Sequence, residues 1–134
     1  RMLRMQGGDC TRGCTTFDKL HWWGASIGDA GCVELSRQLV ARRQGVKHLL
    51  LGSNNIGERC ALALATAAHA GVLQTVGALG LSRNYLSDAG VMALADAVRS
   101  GGMHPHDLYL SVNELGAQGV SALASALSAS GGFE

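Results

Sequence analysis

Val46 to Gly57, VKHLLLGSNNIG, places apolar residues at Val46, Leu49, Leu51 and Ile56 around a single Asn54. Alternation of Leu49 and Leu51 with outward residues reads as a short strand, because successive strand side chains point to opposite faces. The pattern returns as Val76, Leu79, Leu81, Asn84 and Leu86, and again as Pro105, Leu108, Leu110, Asn113 and Leu115. Upstream it is present in weaker form as Phe17, Leu20, Trp22, Ala25 and Ile27. The four units begin at 17, 46, 76 and 105, at intervals of 29, 30 and 29 residues. A fixed period of this size means a repeat architecture before any other fold is considered.

The second half of each unit repeats as well. Gly31, Cys60, Gly90 and Gly119 share one column; Leu35, Leu64, Leu94 and Leu123 share the next; Leu39, Ala68, Val98 and Leu127 share a third. The four-residue step between the last two columns is the spacing of one helical face. Helices are predicted to start near Asp29, Glu58, Asp88 and Gln118 and to end before Gly45, Gly71, Gly101 and Gly131. Acidic residues suit the positive end of a helix dipole, and trailing glycines suit helix termination. Strand, turn, helix and return, always in one direction, predict an α/β fold with a parallel sheet on one face and helices on the other. Helices are wider than strands, so the expected stack curves with the sheet on its concave side. The Asn of each unit has a physical task, since backbone groups where a strand ends would be stranded without a buried amide to pair with them. Asn54, Asn84 and Asn113 are therefore predicted to form a ladder, which Ala25 interrupts in unit one.

These residues carry a family likeness. LLLGSNNIG, LGLSRNYLSDAG and LYLSVNELGAQG resemble the leucine-rich repeats of the ribonuclease-inhibitor type, over about 118 of the 134 residues. The resemblance implies a leucine-rich repeat solenoid, a horseshoe fragment of four strand-helix repeats that binds other proteins on its concave sheet and the loops above it. It also implies an intracellular, cytoplasmic setting. The departures are Ala25 in place of Asn, Cys60 in place of Gly, and Pro105 at the head of unit four. Residues 1–16 carry no sustained period and read as an irregular lead-in. Residues 17–134 read as the repeat domain, with units at 17–45, 46–75, 76–104 and 105–134.

Composition agrees with one modest core built from Leu, Ala and Val: 47% of residues are hydrophobic but only 4% aromatic. Nineteen glycines against one proline disfavour both disorder and collagen and point to glycine at recurring backbone positions. The formal net charge of +1 argues against a dedicated nucleic-acid or membrane-surface domain. Charge is uneven along the chain, with nine basic and five acidic residues in 1–67 against two and five in 68–134. No run of apolar residues is long enough to span a membrane, and no leader pattern opens the sequence. A beginning at Arg1 rather than Met reads as an excised or processed piece, and possible membership of a longer chain or complex follows from it. Cys10, Cys14, Cys32 and Cys60 lack the spacing of a disulfide framework, so free thiols in a reducing compartment are expected, with Cys32 and Cys60 serving as small hydrophobes.

Function should lie in the outward columns of the strands. These are Lys19, His48, Ala78 and Asp107; then His21, Leu50, Gly80 and Tyr109; then Trp23, Gly52, Ser82 and Ser111. Aromatic residues on an exposed sheet are the usual anchors of protein interfaces. Trp23, Tyr85 and Tyr109 are the candidate anchors for a protein partner, with His21, His48 and Arg83 as polar neighbours and Leu50 and Asp107 beside them. Trp23 could equally cover an edge strand, and the tyrosines could merely solvate their hydroxyls at a rim. Ser82, His48 and Asp107 form no catalytic relay, because His48 and Asp107 fall two strands, roughly 10 Å, apart. The partial ligand sets of Cys10 and Cys14 with His21, or His104 with His106, lack the paired spacing of a metal site. No enzyme, cofactor or metal is expected. The basic residues Arg37, Arg42, Arg43 and Lys47, with Arg59 nearby, carry the alternative, a structural subunit docked through its basic amino-terminal half in a larger assembly that could contain RNA. The plainer reading is that cations complement a helix C-terminus.

Overall fold

The computed structural model describes residues 16–111, 113 and 115–129. The lead-in through residue 15, with Cys10 and Cys14, lies outside the described residues, as do Val112, Glu114 and residues 130–134. Strands and helices alternate as β1 (Thr16–His21), α1 (Gly28–Ala41), β2 (Gly45–Leu50), α2 (Glu58–His69), β3 (Ala78–Gly80), α3 (Asp88–Arg99), β4 (Asp107–Tyr109) and α4 (Ala117–Ala129). The four strands form one parallel sheet in the order β1-β2-β3-β4. Each helix packs on the next one along the chain. The first two strands run six residues each, whereas β3 and β4 are reduced to three.

The register follows the sequence period. Leu20 lies opposite Leu49, Leu49 opposite Leu79, and Leu79 opposite Leu108, so one column of the repeat becomes one row across the sheet. Leu49, Leu51, Leu79 and Leu81 point to the helices and are buried together with Leu35, Leu39, Leu64, Leu94 and Val98. Each such side chain contributes roughly 1.5–3 kcal/mol of transfer free energy. Close approach of the helices is secured by small residues: Ala61, Ala65, Ala67 and Ala68 of α2 are all buried.

Polar side chains stitch consecutive units where the apolar columns leave backbone groups over. Oδ1 of Asn54 accepts the N–H groups of Ala25 (2.8 Å) and Ile27 (3.3 Å), and its Nδ2 donates to the carbonyls of Trp22 and Gly52. Asn113 serves unit three likewise, accepting from Leu86 N–H at 2.9 Å and donating to the Leu81 carbonyl at 2.9 Å. A second stitch runs the opposite way. Oδ1 of Asp29, in the first turn of α1, accepts from Gly57 (2.7 Å) and Cys60 (3.1 Å) at the start of α2. Asp88 does the same for Gly116 and Gly119 at the start of α4.

One expectation needs correction. Cys32 and Cys60 are fully buried but are not free thiols: a disulfide joins them across α1 and α2, with Cα atoms 5.4 Å apart. Cys60 occupies the column that holds glycine in the other units, and its side chain is directed at the neighbouring helix. Adjacent helices bring these two positions within disulfide reach.

Candidate functional site

The sheet face turned away from the helices gathers the outward columns into rows. Strand pairing sets Lys19, His48, Ala78 and Asp107 side by side, and beside them His21, Leu50, Gly80 and Tyr109. Backbone bonds beyond the strands extend this order to a third row: Gly24 N–H to Gly52 carbonyl, Ser53 to Ser82, and Arg83 to Ser111, each 2.9 Å. Trp23, Gly52, Ser82 and Ser111 therefore lie along the rim of the same face.

Large and small residues alternate in a directed way along these rows. The ring of Trp23 lies on Gly52, where any Cβ would overlap its six-membered ring. Leu50 leans the same way over Gly80, its Cδ2 at 3.0 Å from where a Cβ would stand. Each bulky side chain thus rests on the glycine of the following unit. Leu50 is half-buried as a result, while Trp23 keeps 49% of its surface open. The centre of the face is flat, because Ala78, Gly80 and Ser82 of unit three are buried and short. Tyr109 (51% exposed) rises on the far side of this floor, and Tyr85 (58% exposed) stands above it in the loop after β3. Gly52 and Gly80 stand in the outward columns of the sequence, and the structure adds that they seat the side chains of Trp23 and Leu50; the signal was a glycine directly following a bulky residue in the same row.

Charge divides across the face. Lys19, His21 and His48 are exposed on β1 and β2, and Asp107 is exposed on β4. Arg83 is exposed on the rim with φ of 57°, left-handed backbone that Ser53 shares at the equivalent place in unit two. Such a conformation is uncommon for a side chain other than Gly, Asn or Asp. It turns the chain at the end of each strand and lifts Arg83 toward solvent. The hydroxyl of Ser82 is taken up by that of Ser111, which donates to it at 3.1 Å. Among the described residues no hydrogen bond links Ser82, His48 and Asp107, and no three His, Cys, Asp or Glu side chains converge as a ligand set. Trp22 packs against the core.

The basic residues do not make one patch. Arg42, Arg43 and Lys47 are exposed together where α1 returns to β2, whereas Arg59 lies in the first turn of α2, at the opposite end of the strands. Arg37 is engaged by Glu34, with Nη2 to Oε1 at 2.7 Å. The Gln38 amide, and next the Arg37 guanidinium, hold the Glu34 carboxyl below its ordinary value. That leaves Arg42, Arg43 and Lys47 as cations with no carboxylate in ion-pair range among the described residues.

The class that these features define is an α/β chain of four parallel strands alternating with four helices. No protein-family model and no curated protein matches it. Among the described residues no helix is long and apolar enough to cross a membrane.

Proposed function

We propose that this chain is a non-enzymatic protein-interaction module of the leucine-rich repeat kind, similar to the ribonuclease-inhibitor type, whose sheet is the concave recognition surface of a solenoid. The observation that carries the reading is the placement of the large aromatic side chains. Trp23, Tyr85 and Tyr109 keep about half their surface exposed on one face and its rim, around a floor of Gly52, Ala78, Gly80 and Ser82. Aromatic rings with few rotatable bonds lose little entropy on contact, and a flat floor between them admits a protein segment. His21, His48, Leu50, Arg83 and Asp107 would supply the polar and apolar contacts around these anchors. The test is site-specific photo-crosslinking in a lysate of the source cells, with the probe at Asp107 on the sheet or at Val40 on the opposite, helical side. A partner captured only from Asp107, and lost when Trp23 and Tyr109 are replaced by Ala, supports the reading. Equal capture from both positions refutes it.

A second reading rests on Arg42, Arg43 and Lys47, which lie outside any ion pair among the described residues. In it the chain is a subunit docked by this basic edge to an acidic protein or an RNA backbone. Association would then weaken as salt rises and would be lost in R42Q/R43Q. Affinity unchanged across a salt series counts against it.

A further inference from the structure

One row across the sheet is polarised. Strand pairing sets Lys19, His48, Ala78 and Asp107 side by side, so a cation opens the row on β1 and a carboxylate closes it on β4. Lys19, His48 and Asp107 are exposed, as is His21 two residues further along β1. Neither Lys19 nor Asp107 stands in an ion pair among the described residues. Asp18, the other acid of these strands, falls one place earlier in the register, level with Lys47. Between the two charged ends the ground is low and apolar: Ala78 is 6% exposed, and beside it Leu50 lies over Gly80. Three strand spacings separate the ends of the row, about 14 Å in all.

We propose that the partner of this face is an extended segment that carries an acidic, a large apolar and a basic residue at alternate positions and lies across the strands. The inference rests on the sheet face being the recognition surface, and it specifies the chemistry that this surface takes. Charge selects the occupant. A uniformly acidic segment or a nucleic-acid backbone would meet repulsion at Asp107, and a uniformly basic segment at Lys19, whereas opposite charges at the two ends complement both. Length selects its conformation. In an extended chain residues i, i+2 and i+4 share a face and span about 13 Å, close to the width of the row. A helix returns to one face after seven or eleven residues, about 10.5 or 16.5 Å, on either side of that width. The acid at i reaches Lys19, with His21 and His48 as donors beside it. The apolar side chain at i+2 falls between His48 and Ala78, against Leu50, and the base at i+4 reaches Asp107.

Selection from a displayed library of random nonapeptides on the full chain tests this. The wild type should enrich acid-x-apolar-x-base, read in either chain direction. Asp107→Lys makes both ends of the row basic and should enrich acid-x-apolar-x-acid; Lys19→Glu makes both acidic and should enrich base-x-apolar-x-base. Both sites are exposed, and unchanged urea midpoints check that the fold survives. The peptide selected on the wild type, carrying a fluorescent label, should bind D107K roughly fivefold or more weakly by anisotropy, the scale of one exposed ion pair. It should also weaken on Tyr109→Ala. Peptides weakened by Y109A but without charge order, or the same consensus on D107K as on the wild type, would overturn the proposal and leave the sheet face standing as the recognition surface. Peptides indifferent to both Y109A and W23A would overturn the two together. No enrichment would also overturn it, as would a wild type that dimerises until Asp107 is replaced, since the occupant would then be a second copy of the chain.

Discussion

Oδ1 of Asn84 accepts the backbone N–H of Asn54 at 2.8 Å, so the ladder residue of one unit holds the ladder residue of the unit before it. The same oxygen takes Ile56 N–H at 3.0 Å, and Nδ2 faces the carbonyls of Leu51, Leu81 and Ser82. Asn84 is 4% exposed, so water cannot replace these bonds. Asn84→Ala should cost about 3 kcal/mol, the penalty for leaving buried backbone groups unpaired. Asn84→Asp keeps the acceptor but turns a carboxylate oxygen toward three carbonyls, and it too should destabilise. Asn113 is half-buried, and Asn113→Ala should cost about 1–2 kcal/mol. Urea unfolding of the three variants gives the order; equal losses at 84 and 113 would mean that the ladder's value does not depend on burial.

The capping aspartates make a sharper forecast, because one place in their column lacks the bond. Asp29 caps α2 and Asp88 caps α4 across the unit boundary. Glu58 holds the equivalent position for α3 (Asp88–Arg99), yet among the described residues its carboxylate takes no N–H at the start of that helix, unlike Asp29 and Asp88. Glu is one methylene longer than Asp, so a carboxylate of the right reach is what Glu58→Asp would restore. Asp29→Ala and Asp88→Ala should each lose about 1 kcal/mol, and Glu58→Asp should gain a similar amount by supplying the missing cap. Thermal unfolding of E58D, with hydrogen exchange at the first turn of α3, checks this. Stability unchanged or lowered in E58D would show that reach is not what leaves α3 uncapped.

The strand register and the helix positions were legible in the sequence because they rest on columns that repeat. Leu20, Leu49, Leu79 and Leu108 recur at 29 or 30 residues, and those intervals are the pairings across the sheet. What the sequence did not disclose are contacts that leave their own column. Cys32 and Cys60 are 28 residues apart, one short of the period, and so belong to different columns. Asp29 looks like an ordinary first-turn acid on its own helix, and only the structure shows its carboxylate serving the next one. Trp23 looks simply outward, while its ring lies on Gly52. Periodicity assigns each residue a face but not the direction in which its side chain leans along that face.

The Cys32–Cys60 bond closes a loop of 28 residues and ties unit one to unit two. By the loop-entropy argument such a link contributes about 3–4 kcal/mol by restricting the unfolded chain. In a reducing compartment the same residues would be buried thiols and this contribution would vanish. Cys32→Ser/Cys60→Ser, or the wild type unfolded in the presence of a reductant, should therefore be about 3 kcal/mol less stable than the oxidised protein. The loss should concentrate in β1 and α1, where hydrogen exchange accelerates first. Identical denaturant midpoints with and without reductant would contradict the staple.

Ser36 is the one buried side chain among the described residues whose polar atom has no hydrogen-bond partner. It is 4% exposed on α1, and the same place on α2 and α3 is held by Ala65 and Ala95. A hydroxyl taken from water without a partner costs about 1–3 kcal/mol. Alanine also has the higher helix propensity, and the cavity left by removing one oxygen is small. Ser36→Ala should thus raise stability by about 1 kcal/mol, against the usual sense of a buried large-to-small change. The comparison that isolates the cause is Ser36→Gly, which removes the hydroxyl as Ser36→Ala does but carries the helix penalty of glycine; it should fall below Ser36→Ala by about 1 kcal/mol and so lie near the wild type. A measured loss in Ser36→Ala would mean that the Ser36 hydroxyl is bonded in solution, and the orphaned-hydroxyl account would then be wrong.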